Sequence, residues 1–351
     1  MAGGGAGAAK TGVRFPIEAP ENGAAVEIAE GVLWARIGMP NRLAHVNVCV
    51  LDDGDGWTVI DTGLRHRQCL DDWAKLRAGP LAGKPVRRVI GTHHHPDHIG
   101  LVGRFMREDD AEFWTTRTAY LMTRMLQLDH HDKHPPEQIA HWVRGGMASD
   151  MVDRFAAKEP MNFSNATYRL PLGYTRIAEG DEVVMGGRRW HVRMGNGHAP
   201  EHATFWSKDD HLVIVGDQAI PGISSNLGVH PTEPEADPVG EWLESCERLL
   251  GFAREDHLAI PGHKAAFTGL PIRFEQLINN HHGAIARLRK HLTAPRTAVQ
   301  CFVPIFGREI EETVFGLALN ETYGHLNHML KLGEVTNELR SDGALWWRLT
   351  G

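Results

Sequence analysis

Three apolar runs in this chain stop at a glycine and are followed at once by a side chain that can hold a metal. They are WHVRMGNG before His198, HLVIVG before Asp217 and HLAIPG before His263. A fourth run, VRRVIG, leads into Thr92-His93-His94-His95-Pro96-Asp97-His98-Ile99-Gly100. Short β-rich runs bounded by glycine read as buried strands, and ligands collect at strand ends in α/β sheets. One such ending means little. Four in one chain confine the fold to those in which separate strand ends meet.

The rest of the pattern is that of a mixed α/β sheet domain. GVLWARIG, AHVNVCVLDD and GWTVIDTG read as strands, with DDGDG as the turn between the last two, and residues 66–78 have helical spacing. Strands resume in EVVMGGRRWHVRMG and ATFWSKDDHLVIVGD, while DPVGEWLESCERLLGFA and PIRFEQLINNHHGAIARLRKHL read as helices. Residues 1–25, rich in Gly, Ala and Pro, read as a flexible tail, 26–290 as the main domain and 291–351 as a small C-terminal domain. Within the main domain, 106–165 reads as an amphipathic helical insertion that would be well placed as a lid. REIEETVFGLAL and TYGHLNHMLKLGE predict two helices and EVTNELRSDGALWWRL a hairpin, the outline of a winged-helix module.

Composition excludes several classes. At 351 residues and 42% hydrophobic the chain can bury a large core, so disorder does not describe it. No stretch reaches the ~18 apolar residues of a membrane helix. The excess of 44 Asp+Glu over 37 Lys+Arg gives −7, which disfavours nucleic acid as a partner. Four scattered cysteines (Cys49, Cys69, Cys246, Cys301) are too few for a disulfide framework. Together with the lack of an apolar leader in the first residues, they predict a reducing, cytoplasmic setting.

The 22 histidines, set against four tyrosines, are the unusual count. In an extended loop after a strand, His93 and His95 point the same way because side chains alternate. Asp97 and His98, where the chain bends into a helix, face a second point. Imidazole and carboxylate donors suit a borderline metal such as zinc at about 2.0–2.2 Å, and such a His cluster without a metal would be hard to bury beside a VIG strand.

These residues resemble the metallo-β-lactamase superfamily, whose T-H-x-H-x-D-H signature is met in full at 92–98. Its other landmarks follow in order: the strand-end Asp61 of VIDTG, G-H-x-P-x-H at 197–202, G-D at 216–217 and G-H at 262–263. The resemblance, over about 28–290, implies a four-layer αββα sandwich. It implies one metal on His93, His95 and His198 and a second on Asp97, His98 and His263, with Asp217 bridging both. The cofactors would be two divalent ions, zinc first, with iron or manganese as alternatives. The C-terminal pattern is similar to the branch containing hydroxyacylglutathione-hydrolase-like thioesterases and an endoribonuclease. The aspartate at 217 is that of glyoxalase-II-like hydrolases rather than of true β-lactamases.

Asp61 is expected to hydrogen-bond the ligand loop and orient His93 or His95, and His94 and His202 to stand behind the ligands. The histidines at 130, 131, 134 and 141 read as a solvated face, and His281, His282, His325 and His328 as packing residues. Glycine-rich segments lack a phosphate-loop spacing, and no Gly-x-Ser-x-Gly elbow occurs. The expected activity is hydrolysis. Water between two cations loses its proton, its pKa falling to about 7, and the hydroxide attacks an acyl centre while Asp97 or Asp217 accepts its hydrogen bond. Thiolate leaves readily, so a small-molecule acyl thioester of glutathione, coenzyme A or a carrier protein is the first substrate class. A lactone or carboxylic ester is the alternative, ahead of RNA cleavage or a non-catalytic binding role. A homodimer through the terminal module is a further expectation.

Overall fold

A computed structural model describes residues 12–351; positions 1–11 of the expected tail lie outside the described residues. The next stretch of that tail is tied down. Val13 is buried, Arg14 exchanges backbone hydrogen bonds with Thr268, and Gly23 donates to Arg36 O. The chain divides into two compact units. The first runs to His130 and adds Asn162–Ser225 and Arg248–Glu275; the second gathers His131–Met161, Asn226–Glu247 and Gln276–Gly351.

The first unit holds two sheets. Strands β1 (Ala25–Ala29), β2 (Val32–Gly38), β3 (His45–Asp52), β4 (Trp57–Ile60), β5 (Val86–Ile90), β6 (Glu112–Thr115) and β7 (Thr175–Arg176) lie side by side in chain order. Pairing is antiparallel from β1 to β4 and parallel from β4 to β7. The second sheet comprises β8 (Glu182–Met185), β9 (Arg188–Gly195), β10 (His202–Ser207), β11 (Leu212–Gly216) and β12 (Leu258–Pro261), ordered β12-β11-β10-β9-β8. Only β11 and β12 in it are parallel.

Period-two alternation builds the layers. On β3, Val46, Val48 and Val50 join one apolar cluster, while Cys49 and Leu51 join another. The first cluster is closed by Trp73 and Leu76 of the helix Arg67–Ala78 and by Phe105 of the helix Val102–Glu108. The longer of these, Arg67–Ala78, starts where the His66 ring accepts from Gln68 N–H, and it buries Cys69, Trp73 and Leu76, one stripe at helical spacing. The second cluster brings Trp34, Ile60 and Ile90 of the first sheet together with Trp190, Phe205, Ile214 and Ile260 of the second. The fold is thus the expected mixed α/β sandwich, with a helical C-terminal region.

Two local readings differ. Strand β6 precedes the helices of the 106–165 segment, because the short run EFWT sits between charged residues that hide its pattern. The two helices expected after 308 are one, Phe315–Lys331, preceded by a single 3₁₀ turn at Glu312–Val314. Gly324 in its interior is a poor helix former. In the fold a Cβ there would press within 2.5 Å of Leu227 O, so close packing selects the glycine inside a continuous helix. The hairpin forms from β13 (Val335–Leu339) and β14 (Leu345–Leu349), paired antiparallel.

Candidate metal centre

Every side chain singled out as a ligand sits just past a strand of the first unit. His93, His95, Asp97 and His98 follow β5, His198 follows β9, Asp217 follows β11, and His263 follows β12. Backbone hydrogen bonds fasten these loops to one another. Asp61 N donates to Ile90 O (2.9 Å), Ala203 N to Thr92 O (2.8 Å), Gly262 N to Gly216 O (2.9 Å) and Asn47 N to Gly262 O (2.7 Å). The Asn47 side-chain amide also donates to Pro261 O at 2.8 Å and Lys264 O at 2.9 Å.

Three overlapping groups result: His93, His95 and His198; His93, His98 and Asp217; and Asp97, His98 and His263, with the donor atoms in each within 4.8 Å of one another. Hydrogen bonds at the back of the rings decide which nitrogen is bare. Thr92 Oγ1 lies 3.0 and 2.9 Å from the two Asp61 oxygens, so its hydrogen goes to that carboxylate. The hydroxyl oxygen then accepts from His93 Nδ1–H at 2.9 Å, which leaves His93 Nε2 a lone pair. His98 Nδ1–H goes to Asp61 Oδ2 (2.7 Å) and His263 Nδ1–H to His45 O (2.7 Å), baring both Nε2 atoms.

The donors fit cations better than they fit one another. His95 Nδ1 stands 2.9 Å from His93 Nε2 and 3.0 Å from His198 Nε2, and one hydrogen cannot serve both contacts. His98 Nε2, His263 Nε2 and Asp217 Oδ1 are buried without a hydrogen-bond partner, a costly state unless something positive lies between them. Asp217 stands between the groups: Oδ2 is 3.3 Å from His198 Nε2 and 3.5 Å from His263 Nε2, and Oδ1 is 3.5 Å from His98 Nε2. Asp97 Oδ2 lies 3.4 Å from His263 Nε2 and 3.8 Å from His98 Nε2.

A glycine shapes this space. A methyl group at Gly262 would run into Asp217 Oδ1 and come within 2.8 Å of the His98 ring. Gly262→Ala is therefore expected to cut bound metal by at least one ion per chain, at a stability cost of about 1–3 kcal/mol. Elemental analysis beside circular dichroism checks this, and full metal content would contradict it.

The charges divide sharply. Burial opposes protonation of His263, but Asp217 and Asp97 overcome it and lift the ring from 6.5 to about 10. Burial likewise opposes charge on His98, which Asp217, Asp61 and Asp97 reverse, raising it well above its usual value. Burial and then the neighbouring imidazoles hold His93 and His95 well below theirs. Burial would raise Asp217, but His263 and His98 hold it well below the usual carboxylate range. Burial pushes His202 down to about 3.

A pH dependence follows for the metal-free protein. Folded His263 titrates near 10 and unfolded near 6.5, so its stabilisation is complete below pH 6.5 and disappears as pH rises to 10. Between 6.5 and 3 the unfolded chain takes up a proton that folded His202 refuses, so acid destabilises. Heat stability without metal should peak near pH 6.5. Saturating divalent cation displaces the His263 proton and should flatten the alkaline decline. Melting curves across pH with and without metal test this, and an equally steep decline with metal would count against it.

Three expected supporting residues have definite places. Asp61 bonds Thr92 and His98 directly and reaches His93 only through Thr92, so the ring it orients is that of His98 rather than His95. His202 Nε2 accepts from Asp217 N at 3.1 Å and its ring stacks on His93 at 4.6 Å. His94 is 7% exposed, belongs to none of the three donor groups and lies beside the His95 ring. Elsewhere His141 meets Asn320, His281 meets His325 and His328 meets Asp237. His45 and Asn47 were not singled out from the sequence, and Thr92 was read only as the first residue of the signature, although a polar residue inside the strand HVNVCVLD was a readable signal for Asn47.

Comparison with known proteins agrees with this architecture. The family model of the metallo-β-lactamase superfamily matches residues 42–263. A solved structure of a β-lactamase domain protein from Burkholderia ambifaria is 31% identical, with a TM-score of 0.88 over 96% of this chain and 98% of that one. A metallo-β-lactamase family protein from Thermus thermophilus, at 22% identity, shares the fold with a TM-score of 0.75 over 92% of this chain and 100% of its own. A probable metallo-hydrolase of Bacillus subtilis, YqjP, is 23% identical over 85% of this chain and 92% of its own length. The chain belongs to the metallo-β-lactamase superfamily. It is a metal-dependent hydrolase of that superfamily, with His/Asp clusters that could hold divalent metals.

Proposed function

We propose that this chain is a binuclear hydrolase of acyl thioesters, in the hydroxyacylglutathione-hydrolase-like branch, using two zinc ions. The observation that carries the reading is Asp217, a buried carboxylate within 3.5 Å of imidazoles from both donor groups. His93, His95 and His198 would hold one ion, Asp97, His98 and His263 the other, and Asp217 both. When bound, such a pair supplies Lewis acidity and makes water a nucleophile at neutral pH.

The protein's own residues do the positioning. Asp61, Thr92 and the His45 carbonyl keep Nδ1 protons on the outward side of His98, His93 and His263. Asp217 Oδ1, which lacks a hydrogen-bond donor, is the atom suited to accept one from the attacking water. Thiolate departs without a strong general acid, which is why thioesters rank above oxygen esters and lactones.

The C-terminal helix and the β13–β14 hairpin are read as a winged-helix-like module and as the seat of a homodimer. Buried cysteines without a disulfide support a reducing, cytoplasmic setting. Among the described residues no helix is long and apolar enough to cross a membrane.

The test is turnover of thioester, lactone, carboxylic ester and RNA panels by metal-loaded protein and its His95→Ala variant. Thioesters should show the highest kcat/KM, with the variant at least about 100-fold lower. A lactone or ester in first place would replace the reading by the alternative, and turnover insensitive to His95 would remove it.

A further inference from the structure

The described residues carry a concentration of positive charge that no carboxylate answers. Tyr168 is half-buried against the apolar cluster of the first sheet. The Arg65 guanidinium lies 5.0 Å and that of Arg107 5.8 Å from its ring centroid. Arg65 donates to Ser164 O at 3.4 Å and Arg107 to Arg169 O at 2.7 Å, both backbone carbonyls. Arg65, Arg107 and the adjacent Arg169 are all exposed, and among the described residues none forms an ion pair. Nearby arginines are treated differently: Arg77 is held by Asp109 at 2.6 Å and Arg104 by Glu108 at 2.7 Å. In a chain of net charge −7, two guanidiniums on one ring without a carboxylate partner are a local reversal of sign.

The patch is fastened to the metal-centre segments. Arg65 N donates to Ala166 O (2.8 Å), Tyr168 N to Gly100 O (2.7 Å) and Thr62 N to His98 O (2.7 Å). Arg65 lies four residues after Asp61 and Gly100 two after His98. Guanidiniums oriented by an aromatic ring, with N–H groups left over, recognise phosphate or carboxylate oxygens in pairs.

We propose that Arg65 and Arg107, set on Tyr168, bind the anionic part of the substrate: a phosphate- or carboxylate-bearing group on the thiol that leaves. The substrate assignment rests on the thioester reading; the anion site does not.

Calorimetry on the metal-loaded protein, with coenzyme A, glutathione and inorganic pyrophosphate as probes, tests the site against an Arg65→Ala/Arg107→Ala variant. The native protein should bind at least one probe about tenfold more tightly than the variant, less so in high salt. Coenzyme A and pyrophosphate together point to phosphate, glutathione alone to carboxylate. Kinetics with one acyl group carried on coenzyme A, on glutathione and on neutral N-acetylcysteamine add a second arm. The variant should raise KM about tenfold for the substrate whose thiol was bound, leave kcat alone and spare the neutral substrate. Equal binding of all three probes by both proteins, or equal KM changes for charged and neutral substrates, would overturn the proposal. Discriminating binding with no thioester turnover would keep the anion site and remove the thioester reading. Both side chains are exposed, and a melting curve verifies that the variant is folded.

Discussion

Asp217→Ala is expected to lower kcat on the order of 10³-fold, about 4 kcal/mol in barrier, and to leave fewer than two metal ions per chain. The reason is position. Its carboxylate faces His98, His198 and His263 at 3.3–3.5 Å, and among the described residues no other carboxylate reaches both donor groups. Removing it leaves the imidazoles of His98 and His263 buried with less negative charge to offset them. Elemental analysis, kcat and circular dichroism on one preparation decide the matter. Activity within tenfold of the native protein, with two ions retained, would show that the centre does not depend on this residue.

The second large effect is expected at Asp61, which touches no proposed metal position. Asp61→Asn cannot accept at both positions, so either the Thr92 N–H or the His98 Nδ1–H faces an amide NH₂ and loses its acceptor. Metal affinity should drop about 10- to 100-fold, read by competition with a chromogenic chelator. The fold should survive, because residue 61 has φ 63° and asparagine tolerates that left-handed conformation. Asp61→Ala loses both hydrogen bonds and adds roughly 1–2 kcal/mol of backbone strain. The two variants should share the affinity loss and differ in melting temperature. Unchanged affinity in both would mean that His98 needs no orienting partner.

The parts of the site that were legible before the structure share one physical cause. An apolar run followed by glycine and a donor marks a strand end, and His93, His95, His198, Asp217 and His263 all carry that mark. What hydrogen bonds decide was not legible. Spacing cannot say that Asp61 turns to His98, or that the His45 carbonyl takes the proton of His263, since both contacts join residues far apart in the chain. Short elements were also hidden. Strand β7 has two residues, and β6 is an aromatic run among charges. The joined helix at 315–331 was obscured because the polar pair Asn320-Glu321 interrupts its apolar periodicity.

The donors do not all hang from the same sheet. Four of them leave β5, whereas His198, Asp217 and His263 leave β9, β11 and β12 across the sandwich. Ions held by both sets would add a clasp between two β-layers that already meet through apolar packing and through the hydrogen bonds of Asn47 to Pro261 and Gly262. Chelation should then speed amide hydrogen exchange at these strand ends first, and the slowest amides in the sheet centres should respond least.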